Sequence, residues 1–102
     1  MRKIEHEMVE AFTSGTPKKK GNDQIIVTDD GLIEYRLHGN RIAYRTADKL
    51  TVWDAGFRSN TTKSRLNAIL ANYSLPRIVQ KSYAWYWTDG GHVESWARTF
   101  DI

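Results

Sequence analysis

Three histidines, a doublet of aspartates and a set of arginines are the residues through which this chain could do chemistry. His6, His38 and His92 fall in separate stretches, and none lies in a glycine-rich elbow that would present a nucleophile to it. Cysteine is absent, which removes thiol catalysis, disulfides and thiolate zinc sites together. Asp29-Asp30-Gly31 with Glu34 is the nearest approach to a metal-ligand group. Carboxylates of that kind serve metal-dependent nucleases, yet Asp-Asp-Gly between two apolar runs is in the first place a turn. GLIEYRLHG has two glycines but neither the spacing nor the strand-to-helix context of a phosphate loop. No catalytic residue, no metal ligand and no cofactor site is named by these residues, and the expectation is a protein that is not an enzyme.

The cations suggest binding instead. Arg36 precedes a Gly-Asn turn, and Arg41 and Arg45 follow it on the polar side of the next strand. Across that hairpin Arg36 is expected near Arg45. Arg58, Lys63, Ser64, Arg65 and Asn67 cluster around the start of a helix, where free backbone N–H groups and a lysine suit a phosphate. Residues 11–81 hold twelve Lys or Arg against six Asp or Glu, whereas residues 1–10 and 82–102 are acidic and the whole chain is only +3. A polyanion would meet the middle first. The expected binding surface is therefore one patch built from Arg36, Arg41, Arg45, Arg58, Lys63, Ser64, Arg65 and Asn67, with nucleic acid as its partner.

A protein partner is the alternative. Trp53, Phe57, Trp85, Trp87 and Trp96 cannot all face one core if strand alternation holds, and aromatic rings anchor interfaces. Alternation puts Tyr83, Trp85 and Trp87 on one face. The helix side formed by Ser64, Asn67, Ala68 and Ala71 is short and uncharged, open to close approach by another protein or by a second copy in a homodimer.

The elements that must position these residues follow from period. Ile4, Met8, Ala11 and Phe12 mark one face of a helix over residues 2–13, ended by Ser14-Gly15-Thr16-Pro17. Lys18–Lys20 reads as a solvated loop. Four short strands follow, carried by Ile25–Val27, Ile33–Leu37, Ile42–Tyr44 and Leu50–Trp53 and separated by Asp29-Asp30-Gly31, Gly39-Asn40 and Ala47-Asp48-Lys49. In SNTTKSRLNAILANYSLP, Ser59, Asn60 and Thr61 are all suited to cap, and with Thr62 they begin, a helix whose buried stripe is Leu66, Ile69, Leu70 and Tyr73, with Lys63 and Arg65 on its flanks. IVQKSYAWYW then pairs with HVESWARTF through Asp89-Gly90-Gly91. This order predicts a single domain over residues 1–102, of the α+β class: an antiparallel meander sheet plus a C-terminal hairpin, with two helices packed on one face. No apolar run approaches the roughly 20 residues of a membrane helix, and the acidic, amphipathic first twelve residues are unlike a signal peptide; no membrane partner is expected.

HGNRIAYR, DAGFRSNTTKSRLNAIL and QKSYAWYW together resemble segments of small phage-encoded proteins, over about residues 36–87. The resemblance implies a viral protein made in the host bacterial cytoplasm, and a partner that is nucleic acid or a host protein. It implies no catalytic residue. In topology alone the order helix, strands, helix is also similar to double-stranded-RNA-binding domains, but without their basic motif and with an extra hairpin.

Overall fold

The structure is a computed structural model and describes residues 2–102. Helix α1 spans Lys3–Ser14 and buries Met8, Ala11 and Phe12 of the face that its periodicity marks, together with Glu5 and Val9, and leaves Ile4 half-buried. It stops at Gly15, whose φ of 71° is left-handed and whose N–H returns to the Ala11 carbonyl. A side chain there would be strained by that φ, and its Cβ would lie 3.0 Å from Ile33 Cδ1.

Five antiparallel strands follow in sequence: β1 (Lys18–Lys20), β2 (Asp23–Val27), β3 (Ile33–Leu37), β4 (Asn40–Arg45) and β5 (Lys49–Val52). Helix α2 (Asn60–Asn72), the hairpin β6 (Ile78–Lys81) with β7 (Ala84–Trp87), and β8 (Arg98–Asp101) complete the chain. The main sheet has the order β1-β2-β3-β4-β5-β8, and β6-β7 forms a separate two-stranded sheet. The helices and the hairpin gather over one face of the main sheet. Phe12 packs edge-on against Tyr35 at 6.1 Å, and Trp87 edge-on against Phe100 at 5.7 Å, at opposite ends of one core. This is the expected α+β architecture of an antiparallel sheet, a hairpin and two helices.

Four local expectations are corrected. Lys18–Lys20 is an edge strand, paired through Lys18↔Ile25 and Lys20↔Asp23. The β3–β4 turn is His38-Gly39, at φ 52° and 79°, one residue earlier than Gly39-Asn40. The hairpin after α2 turns at Ser82-Tyr83 and pairs β6 with β7, whereas the last strand crosses back to β5. Residues 88–97 form the connection; it turns back at Asp89-Gly90-Gly91 and is bonded to β7 from the Trp87 N–H to the Gly91 carbonyl and from the Val93 N–H to the Trp85 carbonyl, beside the Tyr86–His92 bridge, but forms no strand there. Of the N-cap candidates of α2, Ser59 takes the position, as its type allows, accepting from the Thr62 N–H. Ala68, expected on the outer side of α2, is buried.

Candidate partner-binding surface

The six cations of the expected patch each have an internal partner, and they do not form one surface. Arg65 is the clearest correction. It is only 6% exposed, and its Nη1 donates to Glu5 Oε2 at 2.7 Å while Nε donates to Asp23 Oδ2 at 2.7 Å. It therefore stitches α2 to α1 and β2 inside the fold. Tyr35 Oη also donates to Asp23, and Ser64 Oγ donates to Glu5. Two carboxylates around one guanidinium leave this cluster with net charge −1, so the tyrosine and serine donors are part of what makes it tolerable. Burial pushes Glu5 upward, but the Ser64 and Arg65 hydrogen bonds outweigh it and hold the carboxyl below its ordinary value. Burial, reinforced by Asp23, pushes the Tyr35 phenol well up.

Arg36 and Arg41 stand opposite each other beside an irregularity in the β3–β4 register, and Arg45 stands opposite Ile33, so the expected Arg36–Arg45 pairing is replaced by Arg36–Arg41. Both arginines bond the buried Glu34, at 2.8 Å from Arg36 Nη2 and 3.1 Å from Arg41 Nη1, and Arg41 also lies over the Tyr44 ring. Arg45 donates to the carbonyls of Phe12 and Thr13 at the end of α1. Those carbonyls lack helical partners and carry the negative end of the helix dipole. Arg58 bonds Asp54 at 2.9 Å and the Val93 carbonyl at 2.6 Å, tying the β5–α2 loop to the 88–97 connection. Lys63 donates to Gln80.

Lys63, Ser64 and Asn67 do share one shallow hollow of about 380 Å³, as the sequence suggested, but their polar atoms serve the fold. The Asn67 amide bonds both the N–H and the carbonyl of Ile78, standing in for a neighbouring strand on the outer edge of β6. Asp29, Asp30 and Glu34 do not assemble: Asp30 accepts from Thr28 and Glu34 holds the two arginines. Among the described residues no three acidic or histidine side chains converge as metal ligands.

The aromatic residues divide as the alternation argument required. Trp85 and Trp87 are buried, whereas Trp53, Phe57 and Trp96 are 41%, 60% and 67% exposed. Trp53 Nε1 donates to the Ser95 carbonyl, fixing its ring beside the 88–97 connection. Trp96 walls a hollow of about 300 Å³ with Trp87, Glu94, Arg98 and Thr99. Tyr83 was expected with Trp85 and Trp87. It is instead 95% exposed at the tip of the hairpin, with φ 67°. Nothing in the sequence flags Ser-Tyr as a turn, because neither residue favours a positive φ.

A model for the Kyanoviridae Gp96 protein matches residues 1–101. The chain belongs to the Kyanoviridae Gp96 family. It is thus a phage protein, in line with the resemblance drawn from residues 36–87. The family match also takes in α1, the lysine strand and the C-terminal strand, which lay outside that resemblance. No curated protein and no solved structure matches the chain. Among the described residues, no helix is long and apolar enough to cross a membrane.

Proposed function

We propose that this phage protein is a non-enzymatic accessory module that works in the host bacterial cytoplasm by binding another protein. One observation carries the reading: the six cations of the expected patch are engaged by internal partners, while Trp53, Phe57 and Trp96 are left outside. Buried or neutralised arginines have little left to offer a phosphate backbone. Trp53, Phe57 and Trp96, exposed by 41% to 67%, are of the types that supply most of the binding energy in protein interfaces. Trp53 and Trp96 are also held close to the last strand, one by the Ser95 hydrogen bond and one in the wall of the adjoining hollow. The fold therefore presents them together at one end of the sheet.

Immobilised protein exposed to nuclease-treated host lysate tests this. A host protein should be retained, and Trp96→Ser with Trp53→Ser should release it while the domain stays folded. Retention that persists in the double variant, or that disappears with nuclease, contradicts the reading.

Nucleic-acid binding is the second reading, and Arg36 with Arg41 favours it. Two half-exposed guanidinium groups share one carboxylate, leaving a local excess of one positive charge beside the Tyr44 ring. Binding to a single- or double-stranded oligonucleotide that falls steeply with salt, and is lost in Arg36→Glu with Arg41→Glu, would support it.

A further inference from the structure

The main sheet has two outer edges, and hydrogen-bond phase separates them. In an antiparallel pair, opposed residues alternate between those that exchange bonds and those whose N–H and C=O point the other way. The Ile102 N–H donates to the Asp48 carbonyl, and with the register Lys49↔Asp101, Leu50↔Phe100, Thr51↔Thr99 and Val52↔Arg98 this sets the phase of β8. Phe100 and Arg98 bond inward to β5. Thr99 and Asp101 therefore aim their N–H and C=O groups outward. Among the described residues no side chain or backbone group meets those four atoms, and both residues are exposed.

The β1 edge is closed to pairing. The His38 N–H donates to the Asn22 carbonyl, which fixes the β2–β3 phase and makes Asp23 and Ile25 the residues that bond β1. Lys19 alone then points its backbone outward, between two further lysines, and the next outward position is Pro17, which has no N–H. Lysine and proline on an edge strand are the usual means of blocking a further strand. The hairpin's outer edge is occupied at Ile78 by Asn67. Among the described residues, β8 is the edge strand that leaves two successive outward positions unmet beside a hollow and exposed tryptophans.

We propose that β8 accepts an extended, basic segment of another protein as a seventh strand, with a side chain of that segment entering the hollow between Trp87 and Trp96. This rests on the protein-binding reading above and specifies its mode. Charge selects the occupant. Among the described residues, Asp48, Asp89, Glu94 and Asp101 lie around the edge with Lys49 and Arg98, and the nearby Arg58 is neutralised by Asp54, which leaves an excess of two negative charges. A second copy would bring the same acidic edge and be repelled, whereas lysines or arginines on an incoming strand would be attracted. Backbone bonds supply the affinity in this mode, and the hollow supplies selectivity.

The probe is a short synthetic peptide of alternating lysine and valine, with a glutamate–valine peptide as control, read by residue-resolved amide hydrogen exchange. The lysine–valine peptide should slow exchange at Thr99 and Asp101 by about tenfold or more while leaving Lys19 unchanged. Asp101→Lys, at a largely exposed side chain, should weaken that peptide by about fivefold without disturbing the fold. Equal binding of the glutamate–valine peptide, equal protection at Lys19, or no protection at Thr99 overturns the proposal. Concentration-dependent protection of Thr99 without any peptide also overturns it, in favour of self-association. A host protein that needs Trp53 and Trp96 but leaves Thr99 exchange unchanged would uphold protein binding and reject strand addition.

Discussion

The two sides of the main sheet are built from different chemistry. At the β1–β2 side, α1 and α2 are joined to the sheet by ionised groups: Arg65 between Glu5 and Asp23, and Lys20 on Glu7 at 2.5 Å. Its outer strand carries three lysines behind a proline. At the β5–β8 side, the last strand is held by rings, with Phe100 against Trp87 and the Arg98 guanidinium stacked over both at 4.4 Å and 4.6 Å. Its outer strand carries no such guard. Charge has been taken inside where the edge is closed, and aromatic surface has been left outside where the edge is open. A high count of cations in a sequence is thus no measure of a cationic surface, since the best-placed arginine here is a core residue.

The comparison can be broken at several points. Arg65→Met should have the largest effect. It leaves two buried carboxylates without their cation and should destabilise the protein by about 3–5 kcal/mol, read as a lower urea midpoint. Phe100→Ala should cost about 3 kcal/mol by opening a void against Trp87, and should free β8 before β1 in hydrogen exchange. If Phe100→Ala loosens both edges equally, the two sides are one cooperative unit and the contrast between them is only spatial.

pH sharpens the same contrast, because Glu5 and Tyr35, two shifted groups of the core, lie on the charged side. Glu5 is held below its ordinary value of 4.5, so its contribution is present above about that pH and fades as pH falls through the lowered folded value. Tyr35 is raised above its ordinary value of 10.0, so its contribution is present below about pH 10 and is lost as pH rises beyond it. Denaturation midpoints across pH should be flat between these limits, and Tyr35→Phe should remove the alkaline decline while costing about 1–2 kcal/mol at neutral pH through the lost bond to Asp23. An alkaline decline that survives Tyr35→Phe would show that another group causes it.

The smallest change in stability, within about 0.5 kcal/mol, is expected from Pro17→Val with Lys19→Val, both on exposed backbone. Its consequence should appear in association instead. With the guard removed, the β1 edge should self-associate in sedimentation at concentrations where the parent protein does not. No change in association would show that proline and lysine are not what closes that edge.

Much of the fold is legible along the chain, because the large apolar side chains of α1, α2 and β2 are buried at the period of their own element, and turn residues separate the strands from β2 to β5. What stays hidden depends on distant partners. Lys18–Lys20 has no apolar signal, and becomes a strand only because β2 offers it bonds. The C-terminal strand pairs with β5 across almost fifty residues, and no local pattern marks that. Helical spacing puts Arg65 next to Leu66 on the buried side, but an arginine reads as surface until Glu5 and Asp23 are known to face it. The same applies to the expected site. Lys63, Ser64 and Asn67 line one hollow because helical spacing brings them together, and the surplus of tryptophans over core positions is visible in the sequence, yet the partners that engage each cation lie up to sixty residues away.

Residue-resolved amide exchange on the free protein tests the central claim most directly. Along β8 the rates should alternate, with Phe100 slow and Thr99 and Asp101 as fast as loop amides. Uniform protection along the strand would mean that this edge is already covered, and would contradict the assignment of the open edge to β8.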